Sequence, residues 1–96
     1  MDALHTPSMK KLYQAILALE SEGECAAFFE DICTIKELQD IAQRLDVAFM
    51  LHEGKNYQEI CALTGASTAT ISRVKKCLVY GSGGYRAAVT RGEEKQ

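Results

Sequence analysis

YQEICALTGASTATISRV, residues Tyr57–Val74, decides how the whole chain is read. Its first half carries apolar Ile60 and Leu63 three positions apart, with small Cys61 beside them. Its second half opens a stripe of Ile71, Val74 and Leu78 at i, i+3 and i+7, one face of a helix. Between the halves, Gly65 can adopt the positive φ that ends a helix, and Ser67 can cap the next one through its hydroxyl. The pattern predicts a helix-turn-helix over 57–78, with Cys61 where the helices approach and Gly65 at the sharp bend. At about 100° per residue, inward Ile71, Val74 and Leu78 leave Ala69, Ser72, Arg73 and Lys76 outside. Thr68 falls at the edge of that face and Thr70 further round. Short hydroxyl and methyl side chains let a helix approach the floor of a DNA major groove, and Arg73 and Lys76 are long enough to reach phosphate or a guanine edge. The expected DNA-binding set is Tyr57, Gln58, Ser67, Thr68, Ala69, Thr70, Ser72, Arg73, Lys75 and Lys76. Within it Thr68, Ser72 and Arg73 are placed at or near bases, and Tyr57, Gln58, Lys75 and Lys76 at phosphates. The recognition helix is expected over 67–80, in the major groove of double-stranded DNA.

Ninety-six residues suit one domain, and the formal net charge of −2 does not mark a nucleic-acid binder. Its distribution does. Residues 1–62 hold five basic against eleven acidic residues, and residues 63–96 six basic against Glu93 and Glu94, balances of −6 and +4. Arg73, Lys75, Lys76, Arg86 and Arg91 follow one another with no acid between them, so one end can meet phosphates while the other repels them.

Cys25, Cys33, Cys61 and Cys77 match no zinc spacing, and His5 and His52 lie far from any cysteine cluster. No metal and no cofactor is expected. The start lacks a signal-peptide pattern, and no run nears the roughly 18 apolar residues of a membrane span. Reduced cysteines acting as small hydrophobes point to a cytoplasmic chain. An enzyme is not expected: there is no G-x-S-x-G, no carboxylate pair beside a base, and no nucleophile near either histidine.

Along the chain, 1–7 reads as a flexible N-terminal arm. A first helix should start at Ser8 and run to about Glu22, stopped by Gly23, with a second over about Glu24–Ile32. Thr34-Ile35-Lys36-Glu37 is a capping-box pattern ahead of a long third helix closed by Gly54. Its stripe is Ile35, Leu38, Ile41, Ala42, Leu45, Ala48 and Phe49, widened by Val47, Met50 and Leu51. So broad an apolar surface needs more than one neighbour. The expectation is a homodimer built by the first three helices; the other possibility is that the chain's own N-terminal helices cover both faces. Gly81-Ser82-Gly83-Gly84 is either a helix terminator or a backbone cradle for phosphate. Tyr85–Val89 suggests a brief last helix, and 81–96 as a whole reads as a Gly-rich segment and mobile C-terminal tail. No strand signal, repeat or low-complexity segment is evident.

The residues Thr34-Ile35-Lys36-Glu37-Leu38, Arg44-Leu45, Gly54 and Thr64-Gly65-Ala66-Ser67-Thr68-Ala69-Thr70-Ile71-Ser72-Arg73 together resemble the Trp repressor superfamily. They most resemble its Trp-repressor-related subgroup, YerC/YecD. The resemblance spans residues 8–80. It implies an all-α, intertwined homodimer whose recognition helices enter successive major grooves of a near-palindromic operator, acting as a transcriptional regulator of the repressor class. It also implies an effector pocket at Thr34, Arg44, Arg73, Val74 and Cys77. There Arg44 and Arg73 match the two arginines that sandwich tryptophan's indole. Val74 replaces the glycine after the second arginine and Cys77 replaces a serine, so tryptophan is not the expected corepressor. Arg44 then has a second role open to it, an ion pair with Asp40 or another acid. Other functions consistent with the same helices are a protein–protein adaptor of a transcription complex and an amino-acid-sensing repressor.

Overall fold

Five helices of this chain begin at a side chain that accepts a hydrogen bond from an otherwise free backbone N–H. The computed structural model describes residues 2–94. Its elements are α1 (Pro7–Leu17), α2 (Glu22–Ile32), α3 (Ile35–His52), α4 (Tyr57–Thr64), α5 (Thr68–Tyr80) and α6 (Gly84–Glu94), with no strand among the described residues. The all-α architecture is the expected one. Thr6 accepts from Met9 N at 3.2 Å, Ser21 from Glu24 N at 3.0 Å and Ser67 from Thr70 N at 3.1 Å. Thr34 accepts from Glu37 N at 3.1 Å, while Thr34 N donates back to Glu37 Oε1 at 2.8 Å, the capping box read from the sequence. The Thr34 N–H holds the Glu37 carboxyl below the usual glutamate range.

The N-terminal boundaries differ from the expectation. α1 starts one residue earlier, because Thr6 caps it and Pro7, with φ already helical, occupies the first position. It ends at Leu17 with Ala18 as its cap, well short of Glu22. Ser21 explains the difference: it starts α2 two residues before Gly23, and the Glu24 carboxylate also accepts from Glu20 N at 3.2 Å. Gly23 therefore lies inside the first turn of α2 and stops nothing. Part of the proposed arm is ordered locally, with Asp2 accepting from Leu4 N at 2.9 Å and pairing with His5 Nδ1 at 2.7 Å. Met1 lies outside the described residues.

The chain divides inside α3 into two units, ending at Leu38 and beginning at Gln39. In the first, neither α1 nor α2 contains a buried residue. Phe28 and Phe29 meet edge to face with centroids 5.3 Å apart. Tyr13, Leu17, Ile32 and Ile35 are exposed.

The second unit contains the core. Val47, Ala48, Ile60, Ala66, Ile71, Val74 and Val89 are buried, ringed by Phe49, Met50, Leu51, Tyr57, Cys61, Leu78 and Tyr85. The stripe expected to dominate α3 is thus only partly used: Ala48 is buried, while Ile41 and Leu45 stay exposed and Val47 takes the central place. Leu63, paired with Ile60 in the sequence reading, is 62% exposed and contributes nothing to this core.

α6 is longer than the expected Tyr85–Val89. It runs through Thr90 to Glu94, so the supposed tail is helical up to that point; Lys95 and Gln96 lie outside the described residues. Two contacts explain its length. Val89 is fully buried, and Gly92 passes so close to Phe49 that an added Cβ would sit 2.8 Å from the ring.

Truncating fully buried Ile60 should cost about 3 kcal/mol, as large-to-small core changes do, whereas Leu63→Ala should stay within about 0.5 kcal/mol. Urea unfolding of both variants checks this; equal losses would place Leu63 in the core after all.

Candidate nucleic-acid interface

The turn between α4 and α5 is held by a chain of local hydrogen bonds, each traceable to one residue type. Asn56 starts α4 with a reciprocal capping box that the sequence reading did not identify: its Oδ1 accepts from Glu59 N at 2.9 Å, and Glu59 Oε1 accepts from Asn56 N at 3.4 Å. The visible signal was N-x-x-E, the Asn variant of the motif. At the other end, Gly65 has φ 75° and ψ 3°, and its N–H donates to Cys61 O at 2.9 Å. No atom lies within 4 Å of where a Cβ would stand, so conformation rather than space demands glycine. The Thr64 hydroxyl donates back to Ile60 O at 2.7 Å and accepts from Ala66 N at 3.1 Å, satisfying an N–H that lies beyond the helix end. Gln43 of α3 donates its amide to Thr64 O at 3.1 Å and fixes the turn against the preceding helix. The sequence offered no sign of that contact, since 21 positions separate the partners.

Small residues occupy both ends of the contact region, Cys61 packed against the core from α4 and Ala66 in the turn. Ala66 is 4% exposed, whereas Cys61 is half-buried at the rim of the core. Ile71 and Val74 are buried and Leu78 is half-buried, so the inward face of α5 is the predicted one.

Ser67, Thr68, Ala69, Ser72, Arg73, Lys75 and Lys76 are exposed, as is Gln58 at the start of α4. Thr70 is half-buried, and its hydroxyl accepts from Ser67 Oγ at 3.1 Å. Tyr57 is half-buried and ties the two helices together. Its hydroxyl accepts from Ser72 Oγ at 3.4 Å, and Lys75 Nζ lies 5.9 Å from its ring centroid. From Ile60 to Gly92 the sequence contains no acid, so Arg73, Lys75 and Lys76 share α5 with no carboxylate.

Arg86 behaves differently from the rest of the basic run. Its guanidinium donates to Leu78 O and Val79 O, each at 3.2 Å, and so caps the C-terminus of α5. The position of a charge in the sequence did not distinguish this use from phosphate binding. Gly81 ends α5 with its N–H donating to Cys77 O at 2.8 Å, so at least part of the glycine cluster acts as a terminator.

The residues assigned to an effector pocket are placed as follows. Thr34, in the first unit, caps α3. In the second, Arg44 is half-buried, Arg73 and Cys77 are exposed, and Val74 is 1% exposed within the core. All four cysteines are free thiols, and among the described residues no group of three or more His, Cys, Asp or Glu could hold a metal. No helix of the described residues is long and apolar enough to cross a membrane.

A model of the Trp repressor protein family matches residues 7–93. The chain is 50% identical to the uncharacterized protein YerC of Bacillus subtilis (strain 168), over its whole length and 92% of the relative's. Among solved structures, a TrpR-like protein from Eubacterium eligens ATCC 27750 is 49% identical, with 92% of this chain and 91% of that one covered and a TM-score of 0.88. A proposed Trp repressor from Staphylococcus aureus is 44% identical, covering 94% and 90% of the two chains, with a TM-score of 0.89.

Because φ at position 65 is positive, Gly65→Val should destabilise the protein by about 1–3 kcal/mol, and Gly65→Asn, which tolerates the left-handed region, by clearly less. Thermal melts of the two variants give the comparison; identical melting temperatures would show that the turn does not depend on that conformation.

Proposed function

The chain belongs to the Trp repressor protein family, and from that premise we propose that it is a DNA-binding repressor of transcription acting as a homodimer. One observation carries the reading: α5 presents an exposed, hydroxyl-rich and acid-free face from a capped glycine turn braced by the core. Short Thr68, Ala69 and Ser72 let the α5 backbone approach base edges, with Ser67 and Thr70 at its start. Thr68, Ser72 and Arg73 read bases, while Tyr57, Gln58, Lys75 and Lys76 fix register on phosphates.

The homodimer is supported by the first unit. Leu17 is 82% exposed, Ile32 56% and Tyr13 48%, on two helices that bury no residue of their own, and Ile35 at the start of α3 is 79% exposed. Apolar surface of that extent on consecutive helices calls for a partner, and a second copy supplies an identical face by two-fold symmetry. Two recognition helices then address a near-palindromic operator.

Tryptophan is not the corepressor in this reading. The position after Arg73, glycine in the tryptophan-binding pattern, is Val74, whose side chain is packed in the core.

Selection of bound duplexes from a random library, with and without tryptophan, tests the reading directly: enrichment of a two-fold repeat, unchanged by tryptophan, is expected. On the selected site, Arg73→Ala should lose about 1–3 kcal/mol, and wild-type affinity should fall with salt at a log–log slope of about −0.9 per phosphate contacted. No enrichment, or binding indifferent to salt, would favour an adaptor that uses an apolar groove. In sedimentation, the wild type should run as a dimer and Leu17→Glu with Ile35→Glu should shift it towards monomer; a wild-type monomer would remove the assembly from the proposal.

A further inference from the structure

The second unit has a concavity that takes in Tyr57 and Lys75, two of the residues assigned to phosphates, and extends well beyond them. The end of α3, the loop after it and one side of α5 enclose an open cleft of about 400 Å³. That volume is within the range of small-molecule sites, about 300–1,000 Å³. Its apolar lining is Leu51, Leu78 and Val79; Tyr57 supplies an aromatic wall, and Lys55 and Lys75 are its two cations. None of these six belongs to the Thr34, Arg44, Arg73, Val74 and Cys77 set, so the cleft is a separate place on the molecule.

The lining is chemically mixed in an informative way. Leu51 and Leu78 are half-buried and Val79 is 46% exposed, so apolar surface is left wet beside two ammonium groups. Lys55 is held in place, with its side chain 34% exposed and its N–H donating to Met50 O at 3.0 Å. Its ammonium lies 3.9 Å from the Glu53 carboxylate, itself 56% exposed, a solvent-screened pair that a better-placed anion can displace. A backbone phosphate would satisfy the lysines and leave the leucines and the valine wet. An anion with an apolar body satisfies both.

We propose that this cleft binds a small amphipathic organic anion, an aromatic carboxylate, and that the ligand weakens DNA binding. Its carboxylate meets the ammonium groups of Lys55 and Lys75, and its ring lies on Leu51, Leu78 and Val79 beside Tyr57. Coupling to DNA follows from two contacts: Lys75 lies over the Tyr57 ring, and the Tyr57 hydroxyl accepts from Ser72 on the exposed face of α5. A carboxylate that engages Lys75 competes with phosphate for the same charge, and by linkage bound DNA lowers affinity for the acid equally. This regulatory half rests on the DNA-binding reading above; occupancy of the cleft does not.

The test uses the full chain, labelled for NMR and free of DNA, titrated with indole-3-propionate and separately with tryptamine, an indole of opposite charge. The acid should produce saturable shifts at the methyl groups of Leu51, Leu78 and Val79 and at the Tyr57 ring, and tryptamine none. Lys55→Gln combined with Lys75→Gln should keep the dispersed spectrum of a folded protein and bind the acid about tenfold more weakly or worse, as loss of hydrogen bonds to charged groups implies. Lack of saturation, equal response to tryptamine, unchanged affinity of the double variant, or shifts centred on Arg44, Arg73 and Cys77 would each overturn the site. If Lys55→Gln weakened DNA binding while the acid bound nowhere, the cleft would be a phosphate cradle and the proposal would fail. With the selected duplex, saturating acid should lower DNA affinity; unchanged affinity would overturn the regulatory half, and absence of any DNA binding without acid would count against the functional reading instead.

Discussion

A single left-handed residue sets the geometry on which the DNA-facing surface depends. Gly65 reverses the chain after α4, and only two residues later Ser67 has already capped α5. So short a connection leaves the angle between the helices little freedom, and burial of Ala66 between them removes most of what remains. The inward face of α5 then follows from packing: Ile71 and Val74 enter the core with Ile60, and the residues between them must face water. Exposure of Thr68, Ser72 and Arg73 is therefore a consequence of the turn and not an independent feature. Neighbours add stiffness at both ends, Gln43 at the end of α4 and Arg86 at the end of α5.

What could be read directly from the sequence was local. The Gly65 turn, the Ser67 cap, the Thr34–Glu37 capping box and the inward triplet of α5 all depend on partners within a few positions, so spacing alone exposes them. Competition between local signals was harder to resolve. Gly23 looked like a stop, yet Ser21 and Glu24 form a helix start around it, and a glycine in a first turn sacrifices no intrahelical N–H. Contacts between distant segments left no trace. Nothing in the order of residues says that Gln43 meets Thr64, that Arg86 serves carbonyls, or that Gly92 passes Phe49. The length of α6 was missed for the same reason, since it depends on Val89 finding the core.

The third helix shows how a correct pattern can point to more than one neighbour. Ile35, Ile41 and Leu45 repeat at helical spacing, and that periodicity does establish the helix. Within the chain, however, the turn-forming helices pack on Val47 and Ala48 instead, and the three larger residues remain in contact with water. A helix serving two masters in this way must be apolar over a wide arc, which is what its sequence displays. Intramolecular packing accounts for the C-terminal portion of that arc. In the homodimer we propose, a second copy would cover the rest.

Charge is divided unevenly along the chain. Eleven acids lie before residue 63, whereas no acid interrupts the sequence from Ile60 to Gly92, so the chain's net charge of −2 conceals a basic C-terminal third. For association with a polyanion the local field matters more than the total, because screening confines each charge's influence to about 10 Å at ordinary ionic strength. Acids beyond that distance weaken long-range attraction without removing the contacts made at close range. The expected result is a protein whose affinity comes late, after the exposed face of α5 is already near the groove, rather than from attraction at a distance. Discrimination gains from such an arrangement: non-specific binding depends chiefly on phosphate attraction, and a chain with little net charge to offer any duplex would, under the proposed reading, rely on the fit of Thr68, Ser72 and Arg73 to one.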